Sequence, residues 1–113
     1  MLFEMNLNPA PYDLLKNHKK DIEMRLRTPE RKKIRVGDII EFTNTDSKEK
    51  LKAEVIGIYE FNSFRELYDY FPKERLGYSI NEEACYKDMN KYYKDEDILK
   101  YGVIGFEIRH LFR

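Results

Sequence analysis

The chain has 113 residues, with 21 Lys+Arg against 21 Asp+Glu and a formal net charge of zero. A hydrophobic share of 42 % with 14 % aromatics can fill the core of one domain, which excludes wholesale disorder. Neutrality argues against a polybasic protein that coats nucleic acid, and one cysteine with two distant histidines excludes an internal disulfide or a zinc-type ligand spacing.

Phe3, Met5 and Leu7 alternate with Glu4, Asn6 and Asn8, which predicts a half-buried strand. Asn8-Pro9 then starts a helix that carries Tyr12, Leu14 and Leu15 inward and fades near Asn17-His18. Residues 22–27 read as a second strand, with Ile22, Met24 and Leu26 alternating with Glu23, Arg25 and Arg27, and Thr28-Pro29 ends it. The basic stretch Arg31 to Arg35 reads as irregular or as one helical turn. Val36-Gly37-Asp38 turns the chain into a strand over Ile39 to Thr43, followed by a loop of turn formers at 44–47.

Leu51 to Phe61 is a long strand, apolar on both faces around Val55 to Ile58, so it is expected to be central and covered on both sides. Gly57 marks a bulge or a close approach within it. Ser63 and Glu66 form a capping box for a helix carrying Phe64, Leu67, Tyr68 and Phe71, which Pro72 stops. A further helix is expected over Asn81 to Tyr93, with Ala84, Cys85, Met89, Tyr92 and Tyr93 inward. Residues 95–100 form a short turn, and Val103 to Phe112 is the last strand.

The resulting order β-α-β-β-β-α-α-β differs from an alternating parallel α/β pattern. It fits an α+β fold with a mostly antiparallel curved sheet or barrel, its helices inserted after the first strand and before the last. Residues 1–113 read as one domain.

Neutrality conceals an uneven distribution. Residues 16–37 hold nine cations against Asp21, Glu23 and Glu30, a local +6 that the remainder must offset with −6. The turn residues in this segment are expected to expose its basic side chains to phosphate oxygens. Glu23, Arg25 and Arg27 share one strand face, with Lys20 just before the strand. Arg offers a planar fork to a phosphate or base edge, and Glu accepts from a base amino group or orients the Arg. A lysine beside a carboxylate also suits proton transfer. The plain alternative is a surface ion pair worth about 0–1 kcal/mol.

The run Lys19-Lys20-Asp21-Ile22-Glu23-Met24-Arg25-Leu26, with Ile34-Arg35-Val36-Gly37-Asp38-Ile39-Ile40-Glu41-Phe42 after it, resembles the ASCH domain, a branch of the PUA-like superfamily. The order of elements resembles the family over nearly the whole chain. The resemblance implies a PUA-like barrel with a cleft between barrel and helices, and RNA or nucleotide binding. Some members are hydrolases of acetylated cytidine or of RNA. In the amidohydrolase branch a lysine, a threonine and a glutamate act together. Lys20 matches the lysine, Glu23 stands where the threonine falls, and Glu66 and Glu74 lie in the region of the glutamate. Where the family usually has Gly before its Lys-Lys pair, this chain has His18, at a position suited to positive φ.

The expected function is therefore an RNA- or nucleotide-binding module. Lys19, Lys20, Glu23, Arg25, Arg27, Lys32, Lys33 and Tyr78 are its contact residues, and Tyr59 is a weaker candidate. The alternatives are a small hydrolase with Lys20 and Glu23 as proton-transfer groups, or a protein-interaction domain. Cys85 is expected to be a core residue. No cofactor, metal site or membrane segment is expected, and the chain reads as cytoplasmic.

Overall fold

The computed structural model describes residues 1–111; Phe112, placed by the sequence in the last strand, lies outside them. Strand β1 (Leu2–Leu7) leads through Asn8 into helix α1 (Pro9–Lys16), whose proline in the first turn costs no hydrogen bond. The helix closes with Lys19 N–H on the Leu14 carbonyl at 2.8 Å and His18 N–H on the Leu15 carbonyl at 3.2 Å. This paired closure puts His18 in the left-handed region, at φ 61°.

Strand β2 (Ile22–Leu26) follows, then a 3-10 turn at Arg31–Lys33, β3 (Ile39–Asn44) and β4 (Lys50–Phe61). Helix α2 (Phe64–Tyr70) starts as the capping box requires. Ser63 Oγ accepts from Glu66 N–H at 3.2 Å, and Glu66 Oε1 accepts from Asn62 N–H at 3.0 Å. Short 3-10 turns at Lys73–Leu76 and Tyr86–Lys91 precede helix α3 (Asp95–Tyr101) and β5 (Val103–Leu111).

The strands form one curled sheet in the order β1-β3-β4-β5-β2, a half-barrel. Every pairing is antiparallel except β1 with β3. The long strand is central, as expected, and its register shifts between Val55 and Gly57. A Cβ on Gly57 would lie 2.8 Å from Glu107 Oε1, so a side chain at the bulge would press on that carboxylate. The bulge also turns Ile56 outward, 43 % exposed, so the strand is not covered on both sides throughout.

Two apolar clusters hold the sheet. One packs Tyr12 and Leu15 of α1 against Ile40, Phe42, Val55 and Phe106. The other packs Phe64 and Leu67 of α2, with Leu76 and Met89, against Ile22, Met24, Leu26 and Val103. Burial of this kind contributes about 25 cal/mol per Å² of apolar surface.

Three expectations are corrected. Residues 81–93 do not form a helix. Only Met89 of their apolar positions is buried, Tyr92 is exposed and Cys85 is exposed rather than in the core. Without a continuous inward stripe there is nothing to drive a long helix, and the segment settles as a loop with a 3-10 turn. Residues 95–101 instead complete an α-helix. Asp95, Glu96 and Asp97 occupy its first turn, where carboxylates complement the helix dipole, and Gly102 ends it at φ 74°. Among the described residues no helix is long and apolar enough to cross a membrane.

Candidate functional site

The sheet curls so that its two edge strands, β1 and β2, face each other across a cavity of about 540 Å³. The N-terminal half of α1 and the 76–93 segment complete its walls. Lys20, Glu23 and Arg25 lie together at its floor, with side chains only 6 %, 4 % and 13 % exposed. Lys20 Nζ donates to the Ile22 carbonyl at 2.6 Å and stands 3.6 Å from Glu23 Oε1. Arg25 Nε donates to Glu23 Oε2 at 2.6 Å, while its Nη2 donates to the Asn6 carbonyl on β1 at 2.8 Å.

The expected surface ion pair is thus a buried cluster, and the expectation that the basic residues are exposed fails for Lys20. The reason lies in the alternation on β2: Ile22, Met24 and Leu26 face the α2 cluster, so Glu23 and Arg25 turn into the space enclosed by the curl. Burial pulls the Lys20 amine below its ordinary pKa, against the attraction of Glu23. Two cations share one carboxylate here, and the lining as a whole is balanced: Lys20, Arg25 and Lys91 against Glu23, Glu82 and Asp88. The cavity is therefore not a basic cleft. Its positive character is confined to the floor.

The other residues singled out from the sequence are dispersed. Lys19 is exposed beside a second, larger cavity of about 1030 Å³ that shares Lys20 and Tyr78 with the first. Arg27 leaves the shared face, donating to the Tyr101 carbonyl at 3.3 Å and to Glu60 Oε1 at 3.0 Å. Lys32 and Lys33 are exposed in their 3-10 turn and line neither cavity. Tyr59 donates its hydroxyl to Glu107 at 2.9 Å, also away from both. Glu66 serves the α2 cap, and Glu74 lines only the second cavity.

Tyr78 does line the first cavity, but its hydroxyl is committed. It donates to Asp88 Oδ2 at 2.7 Å and lies 2.9 Å from the Tyr68 hydroxyl. Burial first, then these hydrogen bonds, holds the Tyr78 phenol above its ordinary pKa. Asp88 and Tyr93 were missed because they fall in the segment read as a helix, and Tyr68 because its spacing on α2 assigns it to the core. Tyr93 stacks on Phe64 at 5.7 Å and 12° while bordering the cavity. In the larger cavity the arginines are already paired: Arg75 with Asp21 and Glu107, and Arg109 with Glu54. The first cavity, which gathers Lys20, Glu23 and Arg25, is the candidate site.

Comparison with known proteins agrees with this architecture. No curated protein is similar enough to match. The crystal structure of hypothetical protein PH0355 superposes with a TM-score of 0.83 at 31 % identity, covering 98 % of this chain and 100 % of that one. The solution structure of protein PF0455 from Pyrococcus furiosus gives 0.73 at 32 % identity, covering 98 % of each. A ZmASCH mutant protein from Zymomonas mobilis shares the fold at 17 % identity, with a TM-score of 0.66 over 96 % of this chain and 67 % of that one. The ASCH domain family matches residues 5–109, so the curled half-barrel is of the ASCH/PUA-like type and the chain belongs to the ASCH domain family.

Proposed function

We propose that the chain binds RNA or a nucleotide in the cavity between β1, β2 and the 76–93 segment. The observation that carries this reading is the floor, where Lys20 and Arg25 share the one carboxylate of Glu23 nearly out of solvent. A buried excess of positive charge is unfavourable by itself. A phosphate or ring-carbonyl oxygen of a ligand relieves it through charge-assisted hydrogen bonds. The volume of about 540 Å³ suits one nucleotide unit, and the neighbouring tyrosines offer faces for stacking. Lys19, Arg27, Lys32 and Lys33, outside the cavity, would add phosphate contacts for a longer strand.

Fluorescence anisotropy with a labelled single-stranded RNA tests this at two salt concentrations. Lys20→Ala and Arg25→Ala are expected to weaken binding and to flatten its salt dependence. Unchanged affinity at both salts sinks the reading.

One observation favours a second reading, a small hydrolase of a nucleoside amide or of RNA. The Lys20 amine is held below its ordinary pKa by burial and stands 3.6 Å from Glu23. In its neutral form, which burial favours, the amine accepts a proton from an attacking water, and the carboxylate stabilises the ammonium that forms. This reading requires turnover of acetylated cytidine or RNA that disappears in Lys20→Ala. Absence of turnover on both substrates removes it.

A further inference from the structure

We propose that Asp88 is the acceptor through which the cavity recognises an amino group of its ligand, which directs the site to a base carrying an exocyclic amine. This deepens the nucleotide reading and rests on it. The sequence points to Glu23 as the acceptor, yet both of its oxygens are engaged. Oε2 receives Arg25 Nε at 2.6 Å, and Oε1 faces Lys20 Nζ at 3.6 Å. What the floor still offers is donors. Among the described residues no acceptor meets Arg25 Nη1.

Asp88 borders the same cavity from the Tyr86–Lys91 turn, half-buried. Its Oδ2 accepts the Tyr78 hydroxyl at 2.7 Å. The single proton of Tyr78 being committed there, Tyr68 is the donor across the 2.9 Å contact between the two hydroxyls. This chain of two phenols fixes the carboxylate in place. Among the described residues no donor meets Asp88 Oδ1. The cavity therefore presents donors at its floor and a charged acceptor on another wall.

A base with both a ring acceptor and an amino group, such as cytosine or adenine, matches that polarity. A base with a carbonyl in place of the amine sets oxygen against carboxylate and leaves the acceptor unpaired. Sites built around a polar partner discriminate more strongly than apolar pockets do.

The test is binding of matched pairs in which a carbonyl replaces the amine and the ring nitrogen beside it turns from acceptor to donor. CMP is compared with UMP, AMP with IMP, and an eight-residue oligo(C) with oligo(U), at one salt concentration. In at least one pair the amino member is expected to bind roughly tenfold more tightly or better. Asp88→Asn, isosteric but able to donate, lowers that ratio several-fold, leaving only the part that the floor donors supply through the ring nitrogen. Tyr78→Phe, which keeps the ring but releases Asp88, lowers it part of the way. Lys20→Met weakens both members alike. Thermal melts establish that the variants are folded, and Tyr78→Phe decides if Asp88→Asn is not. Equal affinities within every pair, or a ratio indifferent to the folded variants, overturn the proposal and leave the nucleotide reading standing. Failure of the wild-type protein to bind any of these ligands overturns both.

Discussion

Arg25 Nη2 donates to the main-chain carbonyl of Asn6 at 2.8 Å, so a side chain on one edge of the sheet holds the backbone of the other edge. The residue most exposed to a ligand's charge at the floor is also the strut that draws the half-barrel together. Arg25→Lys keeps the charge but cannot reach Glu23 and Asn6 with a planar fork. It is expected to cost about 1–3 kcal/mol, measured by denaturant midpoint. RNA affinity should fall as well. A variant as stable as the wild type would show that the strut is dispensable.

Lys20 separates stability from function. Burying an extra cation is itself costly, and its removal strands a charge only where the carboxylate has no other partner. Lys20→Met leaves Glu23 matched by Arg25 alone, so the variant should be at least as stable as the wild type while binding RNA poorly. Because burial depresses the folded-state pKa of Lys20, the unfolded chain binds more protons over the window between that depressed value and about 10.4. Wild-type stability should therefore rise with pH through that window, and the advantage of Lys20→Met should shrink. Denaturant curves for both proteins from about pH 7 to about pH 10 give the comparison. A constant difference contradicts the assignment.

At His18 the backbone demands φ 61°, which glycine adopts freely and a residue with a Cβ does not. His18→Ala is expected to be less stable than His18→Gly by about 1 kcal/mol. The ranking can be read from thermal midpoints, and Ala equal to or above Gly would refute the strain argument. His18 also sits 5.4 Å, ring to ring, from His110, a contact that both variants lose equally.

Gly57→Ala tests the bulge. The new methyl would press on Glu107, whose carboxylate receives Tyr59 Oη–H at 2.9 Å and Arg75 Nη2–H at 2.8 Å. Displacing it disrupts both bonds, at a cost of about 1–3 kcal/mol in chemical denaturation. A cost near zero would mean that Glu107 relocates freely.

Much of the scaffold was legible because its signals are local. Alternation set the strands, and the Ser63-Glu66 cap set α2. Gly57 marked its bulge, whereas the left-handed residue at His18 followed only from the resemblance to a family with Gly there. The loop over 81–93 was not legible, since apolar residues at helical intervals look inward until packing shows that Met89 alone of them is buried, with Tyr86 and Tyr93 only partly covered. For the site, the Lys20, Glu23 and Arg25 grouping follows from strand alternation and was readable. That Arg27 departs from it depends on Glu60 and the Tyr101 carbonyl, partners distant in sequence. The involvement of Asp88 depends in the same way on Tyr78 and Tyr68, ten residues or more away along the chain.

Both edge strands have a single neighbour, but β2 is buried on both faces, while β1 exposes every other residue and buries only Leu7. The N-terminal strand is therefore the part of the sheet that detaches at the lowest free energy, without requiring the remaining four strands to melt. Its detachment would remove the Asn6 anchor and open the cavity from the side, giving the enclosed floor a route of entry at the cost of uncovering Leu7. Amide exchange along Phe3 to Leu7 should then be faster than along Ile104 to Ile108, and slowed when the cavity is filled.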